Sequence, residues 1–442
     1  MKISLGVVTN LLLGLSAILG AQRYIFPMVS AHVCVLPLLC GLLGRKFPAV
    51  TRNTFILIAL FLTVDNGGGT YFETEAWLRY VIYVAVIWDI VSGTVISKKK
   101  LVVFFLVLIY PILLTLLYYN SIDIVTLIRD LEFTFLLIFM LCRSSKSGHI
   151  LLDEASLLKF FSCYIAAELI NIILFFNIID YGYLNYSSVK SFIVFPSLYF
   201  LAHSRFFPAA ALVLATFVIL VAYGTRMILL TYLLSLAIFI LFKIRLDKTF
   251  YATIIGLFIL FSIVIVWFKQ EPNLMQYKAI AYLVKIDLNE SVAETIRSFD
   301  PVRYEETKLF FDRGFFEILF GDGFGSGIEA KSGEFDFVRY GSSAFTDQEL
   351  DSNFYYNLHD TWIDLGLRFG LLFIVAFYGY FVSKVGSAKP LDSVYGMLLI
   401  VLFSCASFSA AGLILIAYFF LLISRSHKTN APYWYSGSVL QG

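Results

Sequence analysis

Across its 442 residues this chain is 60% hydrophobic and only 14% charged, with a mean hydropathy of +0.83. A soluble domain carries about 25% charged residues, so no water-soluble core could hide this much apolar surface. The net charge of +2 says little by itself, because the placement of the charges matters more than their sum.

Apolar stretches of spanning length recur along nearly the whole chain. A bilayer core about 30 Å thick needs about 20 mostly apolar residues per helix. In chain order, spans are predicted at 4–22, 24–44, 50–64, 76–96, 101–119, 122–142, 157–179, 188–204, 206–223, 226–242, 249–268, 361–383, 391–406 and 409–424. That makes 14; because 50–64 is short and the last two could be one bent helix, the expected range is 11–14. The first stretch lacks an evident cleavage site and is followed at once by another span, so it reads as a helix rather than a removed signal peptide. The fold class is therefore all-α: a polytopic transmembrane bundle with one large loop. Residues 1–268 form the N-terminal bundle, 269–360 the loop, and 361–442 the C-terminal helices and tail.

Basic residues mark alternate ends of these spans. Arg45, Lys46 and Arg52 follow the second, Lys98–Lys100 the fourth, Arg143 and Lys146 the sixth, and Arg205 the eighth. Lys243, Arg245 and Lys248 follow the tenth, Lys384 and Lys389 the twelfth, and Arg425 and Lys428 the last. The other ends carry acids or neutral residues, such as Asp65, Glu73 and Glu75. Under the positive-inside rule both termini are cytoplasmic and the long loop is extracytoplasmic. From 269 to 360 there are 17 acidic and 9 basic residues, a difference of −8. Lys98–Lys100 reads as a topology anchor and not as a nucleic-acid contact. The five cysteines lie in or beside apolar stretches, which excludes a disulfide-stapled outer domain. No Cys/His spacing fits a zinc site. No internal repeat is visible, and the halves differ because only the second carries a large loop.

The loop is patterned. Asp300-Pro301 is a helix start, with Asp as N-cap and Pro at the first helical position. Val302, Leu309, Phe310 and Phe316 then suggest an amphipathic helix with Arg303, Glu306 and Arg313 on other faces, ending at Gly321. Such a helix beside a bilayer lies along the interface. In Gly321-Asp322-Gly323-Phe324-Gly325-Ser326-Gly327 the glycines either let backbone N–H groups approach a phosphate or form a turn that returns the chain over the bundle. The turn is the favoured reading. A dinucleotide fingerprint is excluded, because the run follows a helix and its spacing is wrong.

Charges inside spans are costly and face a cavity or a partner. Arg79 and Asp89 lie in the fourth span; Asp123, Arg129, Asp130 and Glu132 lie in or near the sixth; Glu168 lies in the seventh. Arg226 opens the tenth span at its outer end, where cations are few. There it either holds an anionic ligand or pairs with the plentiful loop acids. Arg297 and Arg303, on or near the loop helix, could face the same place. His359, just before the twelfth span, is either a proton acceptor for a hydroxyl or a polar residue closing the loop.

Three local patterns together resemble the O-antigen polymerase and O-antigen ligase superfamily of bacterial membrane glycosyltransferases. Thr225-Arg226-Met227 resembles the family's Ser-Arg pattern at a helix start. Arg303, with Gly321-Asp322-Gly323-Phe324-Gly325 eighteen residues on, resembles its Arg-to-Gly-x-Gly segment. His359-Asp360-Thr361-Trp362-Ile363, with Gly370 eleven residues after the His, resembles its His-Asn-x-x-Leu run into a helix. Asp360 replaces the common Asn, and Arg368 stands where the family often has an acid. Elsewhere the match is in hydropathy only.

The resemblance implies an O-antigen (surface polysaccharide) polymerase at the periplasmic face of the bacterial inner membrane. It would move a growing glycan from undecaprenyl pyrophosphate to a sugar hydroxyl of another lipid-linked repeat unit. Arg226 and Arg303, with Arg297 as neighbour, would stabilise charge growing on the pyrophosphate without a metal, and His359 would orient or deprotonate the acceptor. No cofactor is implied. The implied partners are the lipid-linked oligosaccharide, membrane lipid and a chain-length regulator, but no nucleic acid. Two alternatives stand beside it: a ligase that transfers glycan to the lipid A core, and a flippase of lipid-linked oligosaccharides, which is not an enzyme. Against the flippase are the long loop and the unequal halves.

Overall fold

The computed structural model describes residues 4–22, 31–43, 47–63, 98–117, 122–144, 153–175, 206–223, 226–243, 300–331, 345–356 and 358–385, with 193–194, 196–198, 294, 297 and 335 as shorter pieces. These residues are mostly helical. Three helices contain segments long and apolar enough to cross a membrane: Leu5–Gln22, Ala155–Leu174 and Thr361–Tyr380.

Eight helices fall on predicted spans before the loop: α1 Leu5–Gln22, α2 Ala31–Leu43, α3 Ala49–Thr63, α4 Lys98–Leu117, α5 Ile124–Ser144, α6 Glu154–Phe175, α7 Phe206–Tyr223 and α8 Arg226–Lys243. Within the loop come α9 Pro301–Phe311, α10 Phe315–Phe320, the strand β1 Ile328–Glu329, α11 Asp347–Ser352 and the strand β2 Phe354–Tyr355. The last described helix is α12, Thr361–Val385. The predicted spans 76–96, 249–268, 391–406 and 409–424, and most of 188–204, lie outside the described residues.

One bundle forms around α6, which packs against α1, α3 and α7. Small side chains let α1 and α6 approach, as expected where no hydrophobic drive separates helix from lipid. Ser16, Ala17, Gly20 and Ala21 are buried on α1. A Cβ on Gly20 would stand 2.9 Å from Leu62 Cδ2 and 3.4 Å from Tyr164 Cε2. Polar side chains add to the join: Gln22 Nε2 donates to Asn171 Oδ1 at 2.8 Å, and Asn171 Nδ2 donates to the Ala21 carbonyl at 3.1 Å.

The described residues of the loop, from 300 on, share a core with α12. Phe310, Ile328, Phe335, Phe345, Tyr355 and Leu358 pack with Ile363 and Leu367 of α12. β1 and β2 pair antiparallel, with Ile328 opposite Tyr355. The predicted single helix from 300 to 321 is in fact two. α9 stops at Phe311, and α10 begins after Gly314, whose N–H is taken by Glu317 Oε2 at 3.1 Å. Asp300 caps α9 as expected, its carboxylate accepting the Arg303 N–H at 3.4 Å.

The glycine run is a close-packed turn. Gly321, Gly323 and Gly325 all have positive φ, which L side chains resist. A Cβ on Gly321 would lie 2.6 Å from the Gly370 nitrogen, and one on Gly323 would lie 2.5 Å from the Pro111 carbonyl oxygen. The run thus wedges between α4, the start of α5 and a kink in α12 at Gly370, which has φ 79° and ψ 163°. Gly323→Ala should therefore lose about 1–3 kcal/mol from the strained backbone alone, with the clash adding to it. Thermal unfolding in detergent should register a lower Tm, whereas Gly379→Ala, with open space around its Cβ, should not lower it.

Candidate functional site

The site is built where α9 meets the strap 356–360 that leads into α12. From the Asp300 cap, Arg303, Glu306 and Phe310 fall at i, i+3 and i+7, hence on one side of a helix. All three are buried. Phe310 stacks edge-on against Trp362 at 5.7 Å between centroids. Gly366 makes room for it, since a Cβ there would meet Phe310 Cζ at 2.8 Å. The apolar side of the loop helix was expected to carry Val302, Leu309, Phe310 and Phe316, with Glu306 elsewhere. In the structure Glu306, 1% exposed, and Arg303 are buried on the same side as Phe310, and Phe316 lies on the separate helix α10. The charges go inside because each meets an opposite charge there.

Glu306 grips His359 twice. Its carboxylate accepts the His359 backbone N–H at 3.0 Å, and Oε1 lies 2.7 Å from His359 Nδ1. One helical turn earlier, Arg303 Nη1 lies 3.0 Å from Asp360 Oδ1 and its Nε lies 3.4 Å from Asp300 Oδ2. Two ion pairs therefore stand side by side. Burial pulls the His359 imidazole down, but the Glu306 carboxylate and its hydrogen bond pull harder, and the net shift is upward. Burial pushes the Asp360 carboxyl up to about 7, against the pull of Arg303 and with the repulsion of Glu306 and Asp300. Asp360 thus titrates closer to neutrality than a salt-bridged surface carboxylate would, and the His359 imidazole holds its proton more firmly than a free one.

The strap carrying His359 is also held at Tyr356. The Tyr356 N–H is taken by Glu349 Oε1 at 3.0 Å. Glu349 belongs to α11 and caps it by accepting the Thr346 N–H at 2.9 Å. The Tyr356 carbonyl accepts from Arg368 Nη2 at 2.9 Å and from Arg129 Nη2 at 3.3 Å.

Those two arginines belong to a second charged cluster, inside the helices. Arg368 of α12 is 1% exposed; its Nε donates to Asp130 Oδ2 of α5 at 3.0 Å, and its Nη2 lies 3.3 Å from Asp364. Arg129 also reaches Asp364, at 3.3 Å. The Gly325 N–H donates to Asp130 Oδ2 at 2.8 Å. Two arginines and two aspartates thus neutralise one another, and one of the acids also holds the glycine run. The expectation that Arg129 and Asp130 pair with another span describes what is seen, and the span is α12.

Of the four expected site residues, Arg303 and His359 come together. Arg297 stands at the edge of the same cluster, its Nη2 3.3 Å from Glu305 Oε1 and its guanidinium over the Tyr304 ring at 5.8 Å. Its side chain is 65% exposed, whereas that of Arg303 is 8% exposed. Arg226 is the first residue of α8; its side chain lies outside the described residues, as do Arg79 and Asp89. Glu306 and Arg368 escaped sequence reading. The signal for Glu306 was present, three residues beyond Arg303 in a helix whose start was legible.

Four N–H groups of the glycine run are engaged within the protein. They donate to Glu317 O from Gly321 at 2.8 Å, to Leu367 O from Asp322 at 2.7 Å and to Arg368 O from Gly323 at 3.2 Å, beside the Gly325–Asp130 bond. Among the described residues no group of three or more His, Cys, Asp or Glu is arranged to hold a metal ion.

No protein-family model matches this chain, and no curated protein matches it.

Removing one member of the Asp130–Arg368 pair strands its partner in a buried site, at a cost of about 3–5 kcal/mol. Asp130→Leu and Arg368→Met should each unfold at markedly lower temperature in detergent. The double variant should recover much of that loss, since no unpaired charge remains. Additive losses would show that the pair is not the source.

Proposed function

We propose that this protein is a membrane glycosyltransferase acting on a polyprenyl-pyrophosphate-linked glycan, of the surface-polysaccharide polymerase kind. It moves the growing chain to a hydroxyl of another lipid-linked repeat unit at the periplasmic face of the bacterial inner membrane. The observation that carries this reading is the Glu306–His359 pair at the mouth of α12, with Arg303 beside it. An acceptor hydroxyl is a weak nucleophile, and an imidazole fixed by a carboxylate is suited to take its proton.

In the reaction the acceptor oxygen attacks the anomeric carbon of the donor. The bond from that carbon to the phosphate oxygen breaks, and its electron pair leaves on the pyrophosphate. Neutral His359 donates Nδ1–H to Glu306 and accepts the hydroxyl proton at Nε2. The imidazolium formed is stabilised by the Glu306 carboxylate. Arginines beside the leaving group stabilise its growing charge. Arg297 is the most exposed guanidinium among the described residues of the loop, and Arg226 at the start of α8 is proposed to act with it. Arg303 is engaged by Asp300 and Asp360, so it meets the diphosphate by exchanging a carboxylate for a phosphate. Asp360, with its pKa near 7, can take up a proton as that exchange occurs.

Reconstitution with a lipid-linked repeat unit, followed by gel analysis, tests the reading: a ladder of glycan is expected, and single repeats alone would sink it. Transfer to lipid A core in place of a ladder would mark a ligase, and movement of the lipid across vesicles without glycan growth would mark a flippase. Arg226→Ala should abolish lengthening while the protein stays in the membrane.

The pH dependence has a definite sign. His359 works as a base only when neutral, and its pKa lies above the ordinary 6.5. Transfer should therefore fall as pH drops through a value above 6.5. In Glu306→Gln the main upward pull is gone, so the inflection should move to lower pH. The plateau rate should also fall, by about 10²-fold or more for a general base that has lost its orienting partner. An unshifted pH profile in this variant would remove Glu306 from the mechanism.

A further inference from the structure

The short helix α10 carries an exposed row of phenyl rings. Phe315 is 69% exposed, Phe316 71% and Phe320 41%, with Phe311 of α9 at 53% beside them. The Phe316 and Phe320 rings stack at 6.4 Å. On a surface helix facing water such a row would be costly. Its position along the neighbouring helices explains it.

α10 packs on α12, and its last carbonyl, that of Phe320, accepts the Tyr110 hydroxyl of α4 at 2.7 Å. Tyr110 lies ten residues beyond Lys100, the last of the lysines that open α4, or about 15 Å along the helix. Gly323 touches Pro111 and Thr115 of the same helix. On α12, Gly321 touches Gly370 and Arg368. Counting about 20 residues back from Lys384 to span a bilayer core begins the membrane near Asp364, and leaves Gly370 about 9 Å inside. On α5, Gly325 binds Asp130, and the same count from Arg143 leaves Asp130 about 10 Å inside. The three helices agree, and in each the basic end lies away from the loop.

A chain at that depth must satisfy its own backbone, and several groups of this one are seen to be satisfied. The α12 kink at Gly370 interrupts the helical ladder, and the carbonyls of Leu367 and Arg368 accept the N–H groups of Asp322 and Gly323. Gly321 N–H goes to Glu317 O, and Gly325 N–H goes to Asp130. The charges of the segment gather at Arg313, which Glu317 of α10, its side chain 42% exposed, approaches at 3.8 Å. Arg313 pairs with Asp322, and its guanidinium also sits over the Phe310 ring at 5.5 Å.

We infer that residues 314–327 are a re-entrant segment that dips into the bilayer, with the phenyl face of α10 in contact with lipid acyl chains. The helices that hold α10 also expose apolar side chains. Leu372 and Val375 of α12 are 52% and 68% exposed, and Leu113 and Leu116 of α4 are 53% and 64% exposed. This is deeper than a helix lying along the interface, and it does not depend on the proposed catalysis.

The test places a fluorescent amino acid, excited apart from tryptophan, at position 316 or 320 of the full chain in phosphatidylcholine vesicles. Vesicles then carry a nitroxide either on the acyl chain or on the headgroup. The acyl-chain nitroxide should quench both positions more strongly, as it should a reference probe at Val375. A probe at Asp351, on α11, should respond instead to aqueous iodide. Stronger quenching by the headgroup nitroxide would make α10 an interfacial helix and overturn the inference. Quenching by neither nitroxide, whether the probe then answers to iodide or is sealed by protein, would overturn it too. The reference probe at Val375 reports on insertion, so a misfolded sample is recognised and replaced by the second labelled position.

Discussion

A buried charge in an apolar bundle has to be answered by another charge, and in this protein that requirement fixes where the loop sits. Arg368 is almost fully enclosed, so it is tolerable only while Asp130 and Asp364 stay beside it. Asp130 lies on α5 and Arg368 on α12, so the pair ties two helices more than 200 residues apart in the chain, at a separation of 238. The same two groups have capacity left over. Arg368 spends it on the Tyr356 carbonyl and Asp130 on the Gly325 N–H. The strap on one side and the glycine run on the other are thus referred to a single ion pair. Neither could shift without leaving a buried charge unanswered.

The strap then delivers His359 to α9. Three successive contacts hold it: Tyr356 to the arginines below, His359 to Glu306, and Asp360 to Arg303. The two ion pairs on α9 are chemically different. Arg303 keeps its charge at any accessible pH, so the Arg303–Asp360 contact changes only when Asp360 takes a proton. The Glu306–His359 contact changes when the imidazole loses one. Because Asp360 and the imidazole are near neighbours, the proton on one is felt by the other. A site of this kind can hold a proton on the imidazole and release it without large movement. That is what an acid–base group needs.

Much of the helical skeleton was legible because hydropathy is a strong signal over 20 residues. α1, α3, α7 and α8 lie within a residue or two of the stretches read from the sequence. The Asp300-Pro301 start was legible for a similar reason, since both residues act locally. The loop's remaining geometry was not. Glu306 is one of 17 acids in that segment, and its partner lies 53 residues away, so composition could not single it out. The break between α9 and α10 had a local signal in Arg313-Gly314, but the apolar residues on either side outweighed it. Phe316 was read with the apolar side of one helix lying along the interface; it belongs instead to a separate helix, α10, where it is exposed. Amphipathicity tells which face differs from its surroundings, and in a membrane protein the surroundings must be known first.

The kink at Gly370 shows how backbone and charge arguments join. An uninterrupted α12 would keep its carbonyls within the helix and offer none to a neighbouring chain. A non-glycine residue at φ 79° would resist the kink, and any Cβ there would run into the backbone of Leu319 and Phe320. With glycine, the helix gives up part of its ladder, and Leu367 and Arg368 accept from the glycine run instead. The run in turn can approach only because it lacks side chains at 321 and 323. Two glycine features, 49 residues apart for Gly321 and Gly370, therefore depend on one another. Replacing either removes the reason for the other. The buried arginine sits two residues before the kink, so its backbone carbonyl and its guanidinium hold opposite ends of the same loop.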